Sequence, residues 1–294
     1  MKLTDYELLY DLPSGAYDGR GIEGIRTVTI RAGKSLEVMC HPILKQWPEG
    51  AKREKRARKT TAAMARINDR NRMLKEMRLL EENFSERAFV LTYTYAYPME
   101  DYGFANRDDM LDYYEANHLP EDDAAVRRDI RNFLGKVRRR MRDPKALKWD
   151  LHIEEGTKEQ PFGLPNHLHA HMVIEAEGLT QDQLKALWPH GHLQCDRFDK
   201  AHDGARRLAK YLGKQKRGRR WWSHSRNLKM PQVTVSDRKV SRRRAMRVAA
   251  DVQRDGREIM ERLYPGYQLM EQIRVHYSDF MPGAYIYCRM RRRD

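Results

Sequence analysis

Asn166-His-Leu-His-Ala-His-Met-Val-Ile174 puts three histidines within five positions of an otherwise apolar stretch. Alternation at period two marks a strand with unlike faces, and it sends His167, His169 and His171 to the same side. Same-side neighbours stand about 6.5–7 Å apart at Cα, within reach of a shared cation. A strand that merely happens to hold histidines on its polar face is the plainer reading. Three of them in one short run favour a metal, since neutral imidazole is the commonest ligand.

Upstream, Trp149-Asp-Leu-His-Ile-Glu-Glu155 alternates too, and Gly156, Pro161, Gly163 and Pro165 break the chain between the two stretches. A β-hairpin with a long connection is expected. Parity gathers Asp150, His152 and Glu154 on one face. Glu154 continues that polar face and is the expected carboxylate ligand, with Glu155 taking its place if the register shifts near the loop. Imidazole and carboxylate together admit Mn²⁺, Mg²⁺ or Zn²⁺, and a role in activating phosphate favours a divalent Mn²⁺ or Mg²⁺.

Further out, Phe89-Val-Leu-Thr-Tyr-Thr-Tyr95 is rich in β-branched and aromatic residues and reads as another strand. Asp122–Met141 reads as a basic helix with Val126, Ile130, Phe133, Leu134 and Val137 on its apolar face. Thr180 caps a short helix that closes at Pro189-His-Gly191, a strand follows near His192–Cys195, and a helix spans Asp203–Gln215. Strands and helices alternate without a repeated βαβ spacing, so the fold class is α+β: a central antiparallel sheet with flanking helices.

The expected organisation is an N-terminal segment, 1–50, then a catalytic domain, 51–235, beginning with a basic helix, then a helix and hairpin, 236–294, packed on the same domain. Thr27–Gly33 suggests a short strand, whereas Ser35–Gly50 is too irregular to assign. Ala51–Glu82 lacks Gly and Pro and reads as one long helix or two joined. Arg242 opens a helical segment through Leu263, and Ile273–Asp294 reads as two strands joined across Pro282-Gly, an edge hairpin.

The 294 residues hold 57 Lys and Arg against 42 Asp and Glu, a formal net charge of +15. Such a chain favours an anionic partner, most often nucleic acid. No run of about 18 apolar residues occurs and the N-terminus lacks the layout of a secretory signal, so no membrane contact and a cytoplasmic location are expected. Cys40, Cys195 and Cys288 form no CxxC pair, against a cysteine-built zinc site.

A nucleophile is offered by Ala205-Arg-Arg-Leu-Ala-Lys-Tyr-Leu-Gly-Lys-Gln215. Ala205, Leu208 and Leu212 form an apolar helix stripe with Tyr211 at its border and Lys214 one turn on. A phenol with pKa about 10 needs a nearby cation to become nucleophilic, and Lys214, Lys210 or the metal can supply it. Lys214 can also steady a phosphate. Around Lys216–Lys229, basic residues interleave with Trp221 and Trp222, a composition suited to single-stranded nucleic acid. Arg219, Arg220, Trp222, Arg226 and Lys229 are the expected DNA contacts there, joined by Lys52, Arg53, Lys55 and Arg56 in the N-terminal helix.

Phe89-Val-Leu-Thr-Tyr93, His167-Leu-His169 with His171, and Tyr211-Leu-Gly-Lys214 come in that order. They resemble the three motifs of rolling-circle replication initiators of the HUH endonuclease superfamily, above all the replication-associated proteins related to filamentous-phage gene II protein. Asn83-Phe84, Leu187-Trp-Pro-His-Gly191 and Trp222-Ser-His-Ser-Arg-Asn-Leu-Lys229 extend the likeness to about residues 55–235. The resemblance implies a single-tyrosine endonuclease with an antiparallel sheet as platform and a histidine-bound divalent ion. Tyr211 would attack a phosphate of single-stranded DNA at a replication origin, leaving a free 3′-hydroxyl and a 5′-phosphotyrosine. The histidine motif reads as His167 with His169, as His169 with His171, or as all three. Lacking a GxxxxGK[ST] loop, the chain would rely on a host helicase for unwinding and a host polymerase for extension. Rival readings are a conjugative relaxase or tyrosine transposase, a non-catalytic basic nucleic-acid-binding protein, and a metal-dependent hydrolase without a covalent intermediate.

Overall fold

A computed structural model describes residues 22–44, 62–97, 104–156, 162, 167–200, 204–212, 222–277 and 283–293, the side chains of 44, 62–64, 211 and 212 excepted. The chain divides into two compact units, a central one of residues 83–229 and a terminal one of residues 1–82 with 230–294. Both sheets are antiparallel and both carry helices, so the α+β reading holds, with two sheets where one was expected.

The central unit contains β3 (Phe89–Tyr95), α2 (Arg107–Ala116), α3 (Asp123–Arg140), β4 (Lys148–Glu155), β5 (Leu168–Glu175), α4 (Gln181–Lys185), β6 (Gly191–Arg197), α5 (Gly204–Leu212) and β7 (Trp222–His224). Its strands run in the order β6-β3-β5-β4-β7. The expected hairpin is β4 with β5, in a register that sets His152 opposite His171 and Glu154 opposite His169.

One face is apolar. Leu91, Tyr93, Leu151, Ile153, Ala170, Met172 and Leu193 pack with Val126, Ile130, Phe133, Leu134 and Val137 of α3, the residues expected on its apolar side. Burying each such side chain contributes about 1.5–3 kcal/mol, which fixes which face of β4 and β5 points away from the helices. The ends of α3 suit its dipole: Asp122 accepts from the Ala125 amide, and Arg138, Arg139 and Arg140 close the last turn.

Thr180 caps α4 in a reciprocal capping box with Gln183. In the motif that follows, Trp188 packs edge-on to Tyr93 and Tyr95. Gly191 has φ +148°, and a Cβ there would stand 2.5 Å from the Thr94 carbonyl oxygen, so the strand pair needs glycine.

The terminal unit joins both ends of the chain. It contains β1 (Ile22–Ala32), β2 (Ser35–Leu44), α1 (Ala62–Asn83, up to Glu82), β8 (Gln232–Ser236), α6 (Arg242–Ala250), α7 (Asp255–Leu263), β9 (Tyr267–Leu269), β10 (Arg274–Tyr277) and β11 (Ala284–Arg292). The order is β10-β11-β2-β1-β8, with β9 also on β11. Three sequence expectations are corrected. Ser35–Leu44 is a strand. The Arg242–Leu263 segment is two helices, broken where an Asp251 side-chain oxygen accepts from the Gln253 and Arg254 amides. The tail strands do pair, but β11 lies inside the sheet against β2, leaving β10 at the edge.

On one face Leu36, Val38, Cys40, Ile286, Cys288 and Met290 meet Ala245, Val248, Ile259 and Met260 of α6 and α7. On the other, Val28, Ile30, Met39, Tyr285 and Tyr287 cluster, and there α1 delivers Arg78 to Glu37. The guanidinium Nε and one terminal nitrogen each donate at 2.8 Å, and the Tyr287 hydroxyl donates at 3.0 Å. Burial works to raise the Glu37 carboxyl, and Arg78 with Tyr287 more than offsets it, holding the group below its usual range.

Candidate metal centre

The sheet face turned away from α3 carries Thr92 on β3, His169 and His171 on β5, and His152 and Glu154 on β4. Strand alternation forces this: Thr92, His152, His169 and His171 each have an apolar neighbour on either side committed to the helical face, and Glu154 has Ile153. His169 Nε2 and His171 Nε2 stand 3.4 and 3.5 Å from the same Glu154 oxygen. The two rings are nearly perpendicular, with centroids 5.1 Å apart.

The outer ring nitrogens are engaged as well. His171 Nδ1 lies 3.1 Å from the Thr92 hydroxyl, and His169 Nδ1 lies 3.5 Å from the His167 carbonyl. For each Nε2 to offer a lone pair, its Nδ1 must carry the proton, and both find an oxygen acceptor there. That is the outer arrangement metal-bound imidazoles use to fix their tautomer. Burial works to raise the Glu154 carboxyl, yet the hydrogen bonds and charge of His169 and His171 hold it at about 2, so it is ionised at neutral pH. Two imidazole nitrogens and one carboxylate oxygen within 4.8 Å of one another fit a divalent cation.

Of the expected ligands, Glu154, His169 and His171 come together and His167 does not. His167 precedes β5, and its ring stacks on Tyr97 with centroids 4.1 Å apart and planes at 8°. Its carbonyl accepts from the Gly156 amide, closing the hairpin beside the site. Glu155 pairs with Leu168 in the register and is not in the group. Thr92 was not singled out from the sequence, although the alternation of Phe89–Tyr95 already placed it on the polar face.

Trp222 lies on the edge strand β7 opposite His152, and its indole N–H donates to Asp150 at 2.7 Å. Much of its motif is structural. The Ser225 hydroxyl accepts from the Trp149 amide, and the Asn227 amide donates to the Lys145 and Leu147 carbonyls, which ties β7 to the start of β4. Arg226 and Lys229 are exposed.

Tyr211 lies in the last turn of α5, with its side chain outside the description. Lys214, Arg219, Arg220, Lys52, Arg53, Lys55 and Arg56 also lie outside the described residues. The start of α5 is set by Gly204, where a Cβ would meet the Asp199 carbonyl oxygen at 1.5 Å. Of the expected apolar stripe, Ala205 is buried and Leu208 half-buried, while Leu212 has its side chain outside the description; Ala209, not expected in the stripe, is buried as well.

These features define an α+β protein with a histidine–carboxylate site on the face of an antiparallel sheet turned away from α3. Residues 88–216, somewhat under half of the chain, match the family of replication-associated proteins named for ORF2 and the phage gene II protein, and this bears out the resemblance drawn from the motifs. The matched stretch contains β3, the site and α5. No curated protein and no solved structure shows a significant match to the chain. No helix among the described residues is long and apolar enough to cross a membrane.

Proposed function

We propose that this chain is a rolling-circle replication initiator that nicks single-stranded origin DNA and keeps the cut end on Tyr211. The observation that carries the reading is the convergence of His169 and His171 on Glu154, inside the same family-matched segment that contains Tyr211 and Lys214. A divalent ion bound there, Mn²⁺ or Mg²⁺, supplies positive charge to the oxygens of the phosphate under attack.

The chain's own residues do the rest. Thr92 and the His167 carbonyl fix the imidazole tautomers, and Glu154 contributes a negative charge that offsets the cation's own. The Tyr211 phenol gives up its proton and its oxygen attacks phosphorus. The bond from phosphorus to the 3′ oxygen breaks, that oxygen takes up a proton, and a 5′-phosphotyrosine remains. Lys214 favours the phenolate and steadies the phosphate. Because the phosphodiester energy is kept in the adduct, the free 3′-hydroxyl can later attack it and rejoin the strand without ATP. Trp222 offers a base-stacking surface at the edge of the site face, with Arg219, Arg220, Arg226 and Lys229 on phosphates. Lys52, Arg53, Lys55 and Arg56 add sequence-independent contacts, while a host helicase and a host polymerase supply unwinding and extension.

The test is incubation with single-stranded DNA and Mn²⁺, denaturing electrophoresis and mass mapping of the adduct. An adduct on Tyr211 that is lost in Tyr211→Phe and with chelator is expected. Cleavage that persists in Tyr211→Phe overturns the assigned nucleophile and favours a hydrolase without a covalent intermediate.

A further inference from the structure

The terminal unit carries a charged surface that the nicking chemistry does not use. Between Arg238 and Arg247 there are six cations, Arg238, Lys239, Arg242, Arg243, Arg244 and Arg247, and no carboxylate. All six are exposed. Arg247 pairs with Asp255 and Lys239 lies over the Tyr264 ring, but no described carboxylate pairs with Arg238, Arg243 or Arg244.

The position of the charge is costly for the helix. Arg242, Arg243 and Arg244 fill the first turn of α6, which holds no acidic residue, so three cations sit at the positively polarised end. A solvated helix face selected for stability would carry the opposite charge there. Arg242 and Arg244 are two positions apart and so lie on opposite flanks of the helix, about 200° around its axis, with Arg243 and Arg247 between them. An α-helix is about 10–12 Å across with its side chains, and the major groove of duplex DNA is about 12 Å wide. Guanidinium groups on both flanks can therefore reach the phosphates of both strands.

Two further observations select the ligand. The apolar side of α6, Ala245 and Val248, is buried in the core, and Met246 is the one large apolar side chain that the described helix exposes, too little for an apolar face that could lie in a lipid surface. Residues 232–250 contain no Phe, Trp or Tyr, whereas single-strand sites interleave aromatic platforms with their cations, as Lys216–Lys229 does here.

We infer that α6 and the turn before it form a second DNA-binding surface that grips the phosphates of duplex DNA, separate from the site that handles the single strand. The inference rests on the reading of this chain as a DNA-processing protein, but not on the role of Tyr211.

The experiment uses the full chain carrying Tyr211→Phe, with and without R242Q/R243Q/R244Q. Fluorescence anisotropy measures binding to a duplex of about 30 base pairs and to one of its strands between about 50 and 200 mM salt. The triple variant is expected to bind duplex at least about 10-fold more weakly. Its log–log salt slope should be smaller by about 2–3, at about 0.9 for each phosphate no longer neutralised. Its affinity for the single strand should stay within about twofold. Its melting temperature should equal or exceed that of the parent, because the substitutions relieve the crowded positive end of α6.

Unchanged duplex affinity and slope, or equal losses on both DNAs, overturn the inference, as does binding of phosphatidylserine vesicles in place of duplex. A wild-type chain that binds duplex but forms no adduct on Tyr211 faults the nicking reading alone. An adduct-forming chain whose triple variant grips duplex normally faults this surface alone.

Discussion

Replacing Glu154 by Gln keeps the shape of the side chain and removes the charge that both imidazoles face at 3.4 and 3.5 Å. Mn²⁺ affinity, read by calorimetry or by the electron paramagnetic resonance of free ion, should fall by about 100-fold or more. Thr92→Val removes only the acceptor behind His171, and should lower affinity by about 10–100-fold, the usual effect of losing such an outer partner. His167→Ala discriminates among the readings of the histidine motif. With its ring stacked on Tyr97, its loss should weaken Mn²⁺ binding far less than His169→Ala does. Equal losses in the two variants would sink the two-histidine assignment.

Glu37 permits a pH prediction of a different kind. Its folded pKa lies below the ordinary carboxylate value, so the pair it makes with Arg78 contributes stability above that value and loses it as pH falls through the folded one. Glu37→Gln leaves a buried guanidinium without its counter-charge and should cost about 3–5 kcal/mol at neutral pH. Acid titrations followed by circular dichroism should show the wild type losing stability below about pH 4.5, with this part of the loss missing in the variant. Parallel acid profiles in the two proteins would mean that Glu37 is not the group responsible.

Among the elements, α5 is placed by one residue. Gly204 starts it against the Asp199 carbonyl, where no Cβ fits, so Gly204→Ala must displace the helix that carries Tyr211. The expected result is loss of the Tyr211 adduct with Mn²⁺ affinity retained, since none of Glu154, His169 and His171 lies on α5. An undiminished adduct yield would show that α5 tolerates the shift.

The β4–β5 hairpin was legible in the sequence because one face packs its apolar residues on α3 while the other gathers Asp150, His152, Glu154, His169 and His171, and α3 because its apolar stripe has a single period. Other elements were not legible for physical reasons. Ser35–Leu44 reads as irregular because β2 is buried on both faces, with Glu37 and Cys40 both inside, so polarity does not alternate along it. The place of β11 depends on pairing with β2 across some 250 positions of chain, which no local pattern records. The departure of His167 from the parity of its strand arises where the ladder ends, beyond the reach of alternation.

The terminal unit is assembled from both ends of the chain, so the backbone passes between the units twice, at 82/83 and at 229/230. The Asn83 side chain donates to the Lys229 carbonyl at 2.8 Å and accepts from its amide at 2.6 Å, which pins the first and last residues of the central unit side by side. A unit whose ends meet in this way can be inserted into the chain of another without stretching it. Each has its own apolar core, and Glu154, His169 and His171, the group that could hold a metal ion, lie in one while Glu37 and Arg78 lie in the other. Mn²⁺ at about 100 times its Kd should stabilise the folded state that binds it by about 2.7 kcal/mol.

That stabilisation should be local. In hydrogen exchange resolved by peptide, Mn²⁺ is expected to slow β4 and β5, and Glu37→Gln to speed β2, β11 and α1. If each core opens by itself, Glu37→Gln and His171→Ala combined should give effects that add within about 0.5 kcal/mol. Protection by Mn²⁺ that spreads equally to β2 and β11, or strong non-additivity, would mean that the two cores open as one. The metal site would then be coupled to the surface proposed to hold duplex DNA.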